Sequence, residues 1–358
     1  MKAAVLTTFG APLALQTLPD PKPGAGDVVV DVTATAVTGY AANVFNGSRN
    51  YLLDLPAVPG PGGIGRVRAT GPDVTRLQPG DWVFCESTIR SRDEETDTIL
   101  QGWTYRTEAA RPLHAYFRHG SFAERMLVPT ENLTRLGDID AAEVSRWTAL
   151  GRLAVPFGGL LAGELKAGET LVVSGATGGF GGAGVVVALA MGAGRVVATG
   201  RNGAALGELA QRLGPRVRPV RMTGDQSVDR AAIVEAAAGR VDLVLDFLPR
   251  EAVAAQVMTA ALTVGHGGRI VLMGGLRGPS GDMPINYNWL MHNNVTLKGQ
   301  WMYGRGAVPR LAQMIRAGLI DLSAFEITEF GLDDVNAAVA HAAEHAGPRQ
   351  LTVLRPDR

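Results

Sequence analysis

Residues 172 to 182 read VVSGATGGFGG, so two valines precede five glycines within eight positions. Glycines let a phosphate group approach backbone N–H groups, and a helix start adds partial positive charge. The apolar strand before the turn and the helical GGAGVVVALAMG after it are the context that a dinucleotide needs. We therefore predict a dinucleotide site rather than a turn without a ligand. Its predicted residues are Gly175, Ala176, Thr177, Gly178, Gly179, Phe180 and Gly181.

The next strand ends with VVATGRN, and its last residues select between cofactors. NAD sites place an acidic residue here for the ribose 2′-hydroxyl, whereas NADP sites bring an Arg to the 2′-phosphate. Gly200 stands where the acid would be, and Arg201 and Asn202 follow. The pattern predicts NADPH, with an ordinary exposed Arg as the alternative for Arg201. Met273 and Gly274, at the end of the later strand GRIVLMGG, are assigned to the same site.

From about residue 168 the chain alternates strand and helix patterns, which predicts a doubly wound parallel sheet. Residues 1 to about 85 are short β segments separated by Gly and Pro, which predicts a β-rich module. Residues 86–119 are irregular and combine an acidic run with aromatic residues. A lid or binding loop and a solvated surface excursion are both open for this insertion.

The predicted fold class is therefore α/β, with two domains. We expect a β-rich domain over residues 1–150, a dinucleotide-binding domain over 151–300 and a return to the first domain over 301–358. Two helical patterns, AVPRLAQMIRAG and LDDVNAAVAHAAEHA, are expected to pack back on the first domain.

Composition narrows the classes of partner. The 358 residues carry a formal net charge of +0, which favours a small or neutral partner over nucleic acid or a membrane surface. Cys85 is the only cysteine, which excludes an intrachain disulfide. We find no apolar run long enough to cross a bilayer, and we expect a cytoplasmic protein.

The stretch GIGRVRATGPDVTRLQPGDWV, the glycine turn and the domain order together resemble the medium-chain dehydrogenase/reductase superfamily over essentially the whole chain. The resemblance is carried most specifically by six spaced residues: Val67, Gly71, Val74, Gly80, Asp81 and Val83. It implies a GroES-like catalytic domain, a Rossmann domain and an NADPH-dependent oxidoreductase.

The same resemblance identifies the positions that would hold the catalytic zinc of the superfamily's alcohol dehydrogenases. The positions of its three ligands fall on Thr38, on Pro61 and near Leu150, and Gly62 replaces the Glu of the family's Gly-His-Glu. Zinc needs Cys, His or carboxylate ligands, which these residues do not supply. The chain therefore resembles the zinc-independent branch, the quinone oxidoreductases and alkene reductases, with no metal site.

Without a metal, the substrate oxygen needs another donor. Tyr40 falls where the zinc enzymes carry a proton-relay Ser or Thr, and a phenol can hydrogen-bond a developing enolate or alkoxide. A pocket-wall role for Tyr40 is the alternative. Thr38, Asn43, Trp301 and Tyr303 are further predicted pocket residues, with core or subunit-contact packing as the alternative for the two aromatics.

The leading functional hypothesis is a zinc-independent, NADPH-dependent reductase of conjugated carbonyls or quinones that acts on the C=C bond. The alternative is a zinc-free carbonyl reductase or alcohol dehydrogenase that acts on C=O. A non-catalytic NADPH-binding protein is a third hypothesis. The strand-like NNVTLKGQWMYG, where related proteins pair subunits, predicts a homodimer.

Overall fold

In the computed structural model the chain forms two compact units, and residues 1–276 and 281–358 are described. The first unit contains residues 1–151, 322–346 and 350–358. The second contains residues 152–321 and 347–349.

A seven-stranded sheet is the centre of the first unit. Its strand order is β10-β5-β4-β3-β18-β17, and β9 also pairs with β3. Val28, Val30 and Val32 of β3 and Val67 of β4 are buried in one hydrophobic cluster, so this face of the sheet packs on the core. The strands are β3 (Asp27–Val37), β4 (Gly63–Thr70), β5 (Trp82–Cys85), β9 (Arg125–Pro129), β10 (Leu133–Arg135), β17 (Glu326–Gly331) and β18 (Gln350–Arg355).

Smaller elements complete the first unit. Two short strands near the N-terminus pair with each other, and the helices lie in the connections and in the C-terminal segment. These elements are β1 (Lys2–Val5), β2 (Ala14–Thr17), α1 (Ala41–Phe45), α3 (Val144–Trp147) and α11 (Val335–Glu344).

The insertion at residues 86–119 folds as a small antiparallel sheet followed by a helix. Ile89, Ile99 and Phe117 form a hydrophobic cluster that also contacts Leu127 of β9. The acidic run is exposed, so the insertion is solvated there and buried around its sheet. Its elements are β6 (Thr88–Arg90), β7 (Thr98–Leu100), β8 (Thr104–Tyr105) and α2 (Arg111–Tyr116).

The second unit contains the expected doubly wound parallel sheet. Six strands pair in parallel in the order β13-β12-β11-β14-β15-β16, so the order reverses between β11 and β14. Dinucleotides bind such sheets at this reversal, beyond the carboxyl ends of the strands. The strands are β11 (Thr170–Ser174), β12 (Arg195–Gly200), β13 (Val217–Arg221), β14 (Val241–Asp246), β15 (Val264–Leu272) and β16 (Thr296–Gly299).

Helices cover both faces of this sheet, because alternate residues of its central strands are apolar on both sides. On β14, Val244 packs in a cluster with Ile233 and Ala260, whereas Leu243 lies beside Gly163. The helices are α4 (Ala149–Ala162), α5 (Gly179–Ala190), α6 (Gly203–Leu213), α7 (Gln226–Ala237), α8 (Ala254–Ala261), α9 (Tyr287–His292) and α10 (Ala307–Arg316). The predicted fold class is confirmed.

The expected return to the first domain at residue 301 differs from the observed division. The second unit continues to Asp321 and includes α10, where Arg310 lies 5.4 Å from the centre of the Phe157 ring. Only α11 of the two C-terminal helices belongs to the first unit.

No helix among the described residues is long and apolar enough to cross a membrane.

Candidate active site

The glycine turn joins β11 to α5 and is shaped by two close approaches. Gly175 has a φ of +75°, a conformation that L side chains rarely adopt. A methyl group at Gly181 would collide with the carbonyl oxygen of Gly175, so only glycine lets α5 start this close to the strand. The N–H of Ala176 donates to the Thr199 carbonyl at 2.9 Å, which gives this buried alanine a structural part in the turn.

The outer side of the turn is open. Gly178 is the N-cap of α5 and supplies no capping side chain. A methyl group at Gly178 would meet a single atom within 4 Å, the Gly175 oxygen at 3.4 Å. The first N–H groups of α5 have no intrahelical acceptor, so they and the helix dipole can hold a diphosphate. The turn therefore fits a dinucleotide.

Phe180 stacks on Phe247 with ring centres 6.4 Å apart.

Arg152 is a site residue that the sequence reasoning missed. It lies on α4, and its guanidinium atoms are 3.2–3.4 Å from where a methyl group at Gly179 would stand. Burial lowers the pKa of Arg152 to about 10, which still leaves it charged at neutral pH. A cation therefore lies against the start of α5, where a diphosphate would bind. Sequence spacing could not identify Arg152, because its contact with Gly179 forms only in the folded chain.

Gly200, at the end of β12, has no room for a side chain. A methyl group there would stand 2.6 Å from Cγ2 and 2.9 Å from the hydroxyl oxygen of Thr177. Arg201 follows as an exposed residue. The Asn202 side chain caps α6 by accepting from the N–H of Ala205 at 3.1 Å. The acidic residue typical of NAD sites is thus absent and sterically disfavoured here.

Arg221 is a second arginine at the same edge, and the sequence reasoning did not find it. Gly200 and Arg221 are register partners at the ends of β12 and β13. The Cδ atom of Arg221 is 3.4 Å from where a methyl group at Gly203 would stand, beside the start of α6. Arg201 and Arg221 therefore both lie at the end of β12, where the adenosine ribose of a dinucleotide binds in folds of this type.

Met273 and Gly274 follow the end of β15, as expected. The N–H of Met273 donates to the carbonyl of Asp246 at 3.1 Å, and Gly274 lies against the Asp246 carboxyl group. Asp246 ends β14 beside Ser174, at the reversal of strand order. Burial raises the pKa of Asp246 to about 7, and its carboxyl group accepts a hydrogen bond from the Leu248 N–H at 3.4 Å.

Tyr40 belongs to the first unit, where it is the N-cap residue of α1. The guanidinium of Arg49 lies over its ring, 4.2 Å from the centre. Burial raises the pKa of the Tyr40 phenol far above its ordinary value, and Arg49 opposes that rise only in part. The phenol is therefore protonated throughout the physiological range and can act as a hydrogen-bond donor.

Two further polar groups lie beside the Tyr40 phenol. The hydroxyl of Thr38 and the indole of Trp103 both act to lower the pKa of Tyr40, and the Trp103 ring centre is 6.1 Å from that of Tyr40. Both Thr38 Oγ1 and Trp103 Nε1 are buried without a hydrogen-bond partner among the described residues. Trp103 comes from the insertion at residues 86–119, whose conformation the sequence does not predict.

The other predicted pocket residues are divided between the two units. Asn43 is exposed on α1, one turn after Tyr40. Trp301 and Tyr303 belong to the second unit. Tyr303 is 2% exposed and packs closely against Gly158, as expected if it is a core aromatic residue. Trp301 is 40% exposed.

The residues at the three zinc-ligand positions do not fit a zinc ion. Thr38 presents a hydroxyl, Pro61 has no ligating atom in its side chain, and Leu150 is fully buried and apolar. Within residues 1–276 and 281–358, no group of three or more His, Cys, Asp and Glu side chains is arranged to hold a metal.

Comparison with protein families assigns both units. Residues 24–138 match the family described as Alcohol dehydrogenase GroES-like domain, and residues 179–317 match Zinc-binding dehydrogenase. An alcohol dehydrogenase of Moraxella sp. (strain TAE123) is 28% identical over 94% of each chain. An L-threonine 3-dehydrogenase of Anaeromyxobacter dehalogenans (strain 2CP-C) is 28% identical over 88% of each chain.

Solved structures share the fold along the whole chain. The 2R,3R-butanediol dehydrogenase of Bacillus subtilis superposes with a TM-score of 0.81, at 20% identity over 99% of both chains. A putative zinc-binding dehydrogenase of Sinorhizobium meliloti 1021 bound to NADP gives a TM-score of 0.79, at 20% identity over 99% of both chains. With family matches in both units and relatives along nearly its full length, the chain belongs to the medium-chain dehydrogenase/reductase superfamily and is an oxidoreductase of that type.

Proposed function

We propose that this protein is a zinc-free, NADPH-dependent carbonyl reductase or alcohol dehydrogenase acting on C=O and C–OH groups. The relatives are named alcohol dehydrogenase and L-threonine 3-dehydrogenase, which favours this function over our first expectation of C=C reduction. The observation that carries the proposal is the protonated Tyr40 phenol beside Thr38, at positions where the zinc enzymes carry a proton relay and a metal ligand.

NADPH, when bound, would supply a hydride to the carbonyl carbon. The glycine turn and Arg152 would hold its diphosphate. As the carbon gains the hydride, the C=O electron pair moves to the oxygen, and Tyr40 donates its proton to that oxygen. The alkoxide is a stronger base than the phenolate, so this transfer is downhill, and Tyr40 regains a proton from water. Such positioned proton donors contribute on the order of 10²- to 10⁴-fold.

The preference for NADPH rests on the edge formed by β12 and β13. Thr177 fills the space that an acidic side chain at position 200 would need, and Arg201 and Arg221 flank that position. In Arg201→Ala we expect the preference for NADPH over NADH to fall about 10-fold or more, since one charge-assisted phosphate contact is lost. An unchanged ratio of the two dissociation constants would remove Arg201 from cofactor selection.

Reduction of a conjugated carbonyl or quinone at C=C is the second candidate. The residues at positions 38, 61 and 150 favour this candidate, because they do not supply zinc ligands. A conjugated acceptor can take hydride at its β-carbon without a Lewis acid. Charge then collects on the same carbonyl oxygen, and Tyr40 would hydrogen-bond it. A protein that binds NADPH without turnover is a third candidate.

One substrate separates these functions. Chelator-treated protein is incubated with NADPH and cyclohexenone, and the product is identified. Allylic alcohol supports carbonyl reduction, saturated ketone supports C=C reduction, and NADPH binding without turnover of any carbonyl or quinone supports the binding protein. A matched sample with added zinc tests the metal: a gain in rate only with zinc would overturn zinc independence.

A homodimer in the cytoplasm completes the proposal. β16 is an edge strand of the second unit, and all four of its residues are exposed. Leu297 in this strand and Tyr287 and Met291 on α9 are exposed apolar residues, which suits a subunit contact.

The single cysteine suits a reducing compartment. A small carbonyl, enone or quinone is the proposed partner.

A further inference from the structure

Trp103 and Thr38 are two of the residues in the first unit that have a buried donor without a hydrogen-bond partner among the described residues. Trp103 is 1% exposed, and its indole Nε1 has no hydrogen-bond partner among the described residues. The Thr38 hydroxyl is in the same condition. An indole N–H can only donate, and leaving it unsatisfied in a protein interior costs about 1–3 kcal/mol. Native structures contain few such groups, so each needs an explanation.

These donors meet at one place. The Trp103 ring centre lies 6.1 Å from that of Tyr40, and Thr38 precedes Tyr40 by two residues at the start of α1. Both side chains are close enough to the phenol to lower its pKa by hydrogen bonding. The Arg49 guanidinium lies over the Tyr40 ring, 4.2 Å from its centre, and lowers the same pKa through its positive charge. The phenol, the hydroxyl and the indole N–H therefore form a group of three donors with a cation beside them. We name Tyr40, Thr38 and Trp103 the donor group.

The chain around Trp103 is held in place. Trp103 closes a tight turn between β7 and β8, in which its N–H donates to the Leu100 carbonyl at 2.9 Å. The Gln101 side chain donates to the carbonyls of His119 and Leu127 at 2.9 and 2.7 Å. Gly102, with a φ of +72°, packs against the backbone of Gly60. The turn is therefore fixed against the glycine-rich segment that contains Pro61.

We propose that the donor group binds the carbonyl oxygen of the substrate, with the Trp103 N–H and the Thr38 hydroxyl donating beside Tyr40. This inference rests on the proposed function and gives residues 86–119 a direct part in catalysis. The carbonyl C=O pair moves to the oxygen as hydride adds to carbon. Tyr40 transfers its proton to that oxygen, while Trp103 and Thr38 keep theirs and stabilise the developing charge. The acceptor missing from the donor group is then the substrate.

Indole NMR tests binding without any turnover. The protein is labelled with ¹⁵N-indole tryptophan, saturated with NADP⁺ and titrated with cyclohexanone, a pair that cannot react. The Trp103 peak is assigned by its absence from Trp103→Phe. We expect this peak to move downfield with saturation, while the peaks of Trp82, Trp147 and Trp289 stay in place. A Trp103 peak that does not move with ketone overturns the proposal.

Kinetics test the stabilisation of charge. In Trp103→Phe we expect kcat to fall on the order of 100-fold with a small change in KM, as for loss of one oxyanion donor. Trp82→Phe is the matched control, because Trp82 is also buried but pairs with Arg66 in the sheet. Thr38→Val, which keeps side-chain volume, should lower kcat in the same way. Equal rates for Trp103→Phe and Trp82→Phe would contradict the proposal.

The outcomes separate this inference from the proposed function. A moving Trp103 peak without turnover of any carbonyl supports oxygen binding by the donor group and overturns the reductase. Normal turnover with a fixed peak and an unaffected Trp103→Phe variant supports the reductase and overturns the donor group. NADPH affinity is expected to be the same in all these variants, since they lie outside the second unit.

Discussion

The guanidinium of Arg152 lies directly against Gly179, with its Cζ atom 3.2 Å from where a methyl group on that glycine would stand. Gly179 is the first residue of α5, so a buried cation and a helix N-terminus share one point of the glycine turn. The Arg152 Nη1 also donates to the Gly347 carbonyl at 3.4 Å. Both features favour a doubly charged diphosphate at this point.

Arg152→Met should weaken NADPH binding by about 10- to 100-fold, because one charge-assisted hydrogen bond to the diphosphate is lost. The dissociation constant is measured by isothermal titration, and added salt should weaken the wild type more than the variant. Arg195→Met is the control, since Arg195 donates to the Ala236 carbonyl at the opposite end of β12. Equal affinity in Arg152→Met and wild type would exclude Arg152 from the site.

Gly200→Asp alone should not create an NADH enzyme. The new side chain would collide with Thr177, whose Cγ2 stands 2.6 Å from the methyl position, so the affinity for both cofactors should drop at least 10-fold. Gly200→Asp with Thr177→Ala relieves the collision and gives the ribose 2′-hydroxyl a carboxylate. We expect this double variant to prefer NADH. Preference for NADH in Gly200→Asp alone would show that Thr177 does not constrain the site.

Much of the fold could be predicted because its elements have regular patterns. The bounds of β3 and β4 coincide with the apolar segments DVVVDVTATAV and GIGRVRAT. β13 was missed because it is an edge strand with Pro219 in its middle and only Val217 and Val220 buried. An edge strand needs few apolar residues, so its signal in the sequence is weak.

The site was predictable only where its residues are close together along the chain. The glycine turn and Gly200 follow from local spacing around β11 and β12. Arg152, Arg221 and Trp103 reach their places through tertiary packing, which no spacing rule describes. Residues 86–119 have no helical or strand period, so the position of Trp103 beside Tyr40 could not be derived from the sequence.

Asp246 should make the protein less stable as pH rises towards neutrality. Burial raises its pKa from an ordinary 3.8 to about 7. Below pH 4 the carboxyl group is protonated in both states, and between about 4 and 7 only the unfolded chain releases the proton, so stability falls across that range. In Asp246→Asn this loss is absent, and the free energy of unfolding at pH 8 should exceed that of wild type by up to roughly 4 kcal/mol. Urea unfolding at pH 4.5 and 8 measures the difference; parallel pH dependence in both proteins would contradict it.

Leu297→Arg should convert the proposed dimer to a monomer, because like charges would meet across the edge of β16. Sedimentation should then give a mass near 37.6 kDa in place of twice that value. Leu319→Arg is the control, as an exposed apolar residue outside β16 that should leave the dimer intact. A wild-type protein that sediments as a monomer would refute this subunit contact.

Tyr40→Phe should lower kcat for carbonyl reduction by about 10²- to 10⁴-fold, the range for loss of a positioned proton donor, and leave NADPH binding unchanged. Because burial holds the pKa of Tyr40 far above its ordinary 10, the wild-type rate should show no loss from ionisation of Tyr40 as pH rises from 6 to 10. Steady-state rates over this range measure both effects. Tyr51→Phe is the control, since Tyr51 raises the pKa of Tyr40 through charge and takes no part in the proposed proton transfer. A Tyr40→Phe variant with wild-type turnover would leave Tyr40 as a pocket wall, and the oxygen would then depend on Thr38 and Trp103 alone.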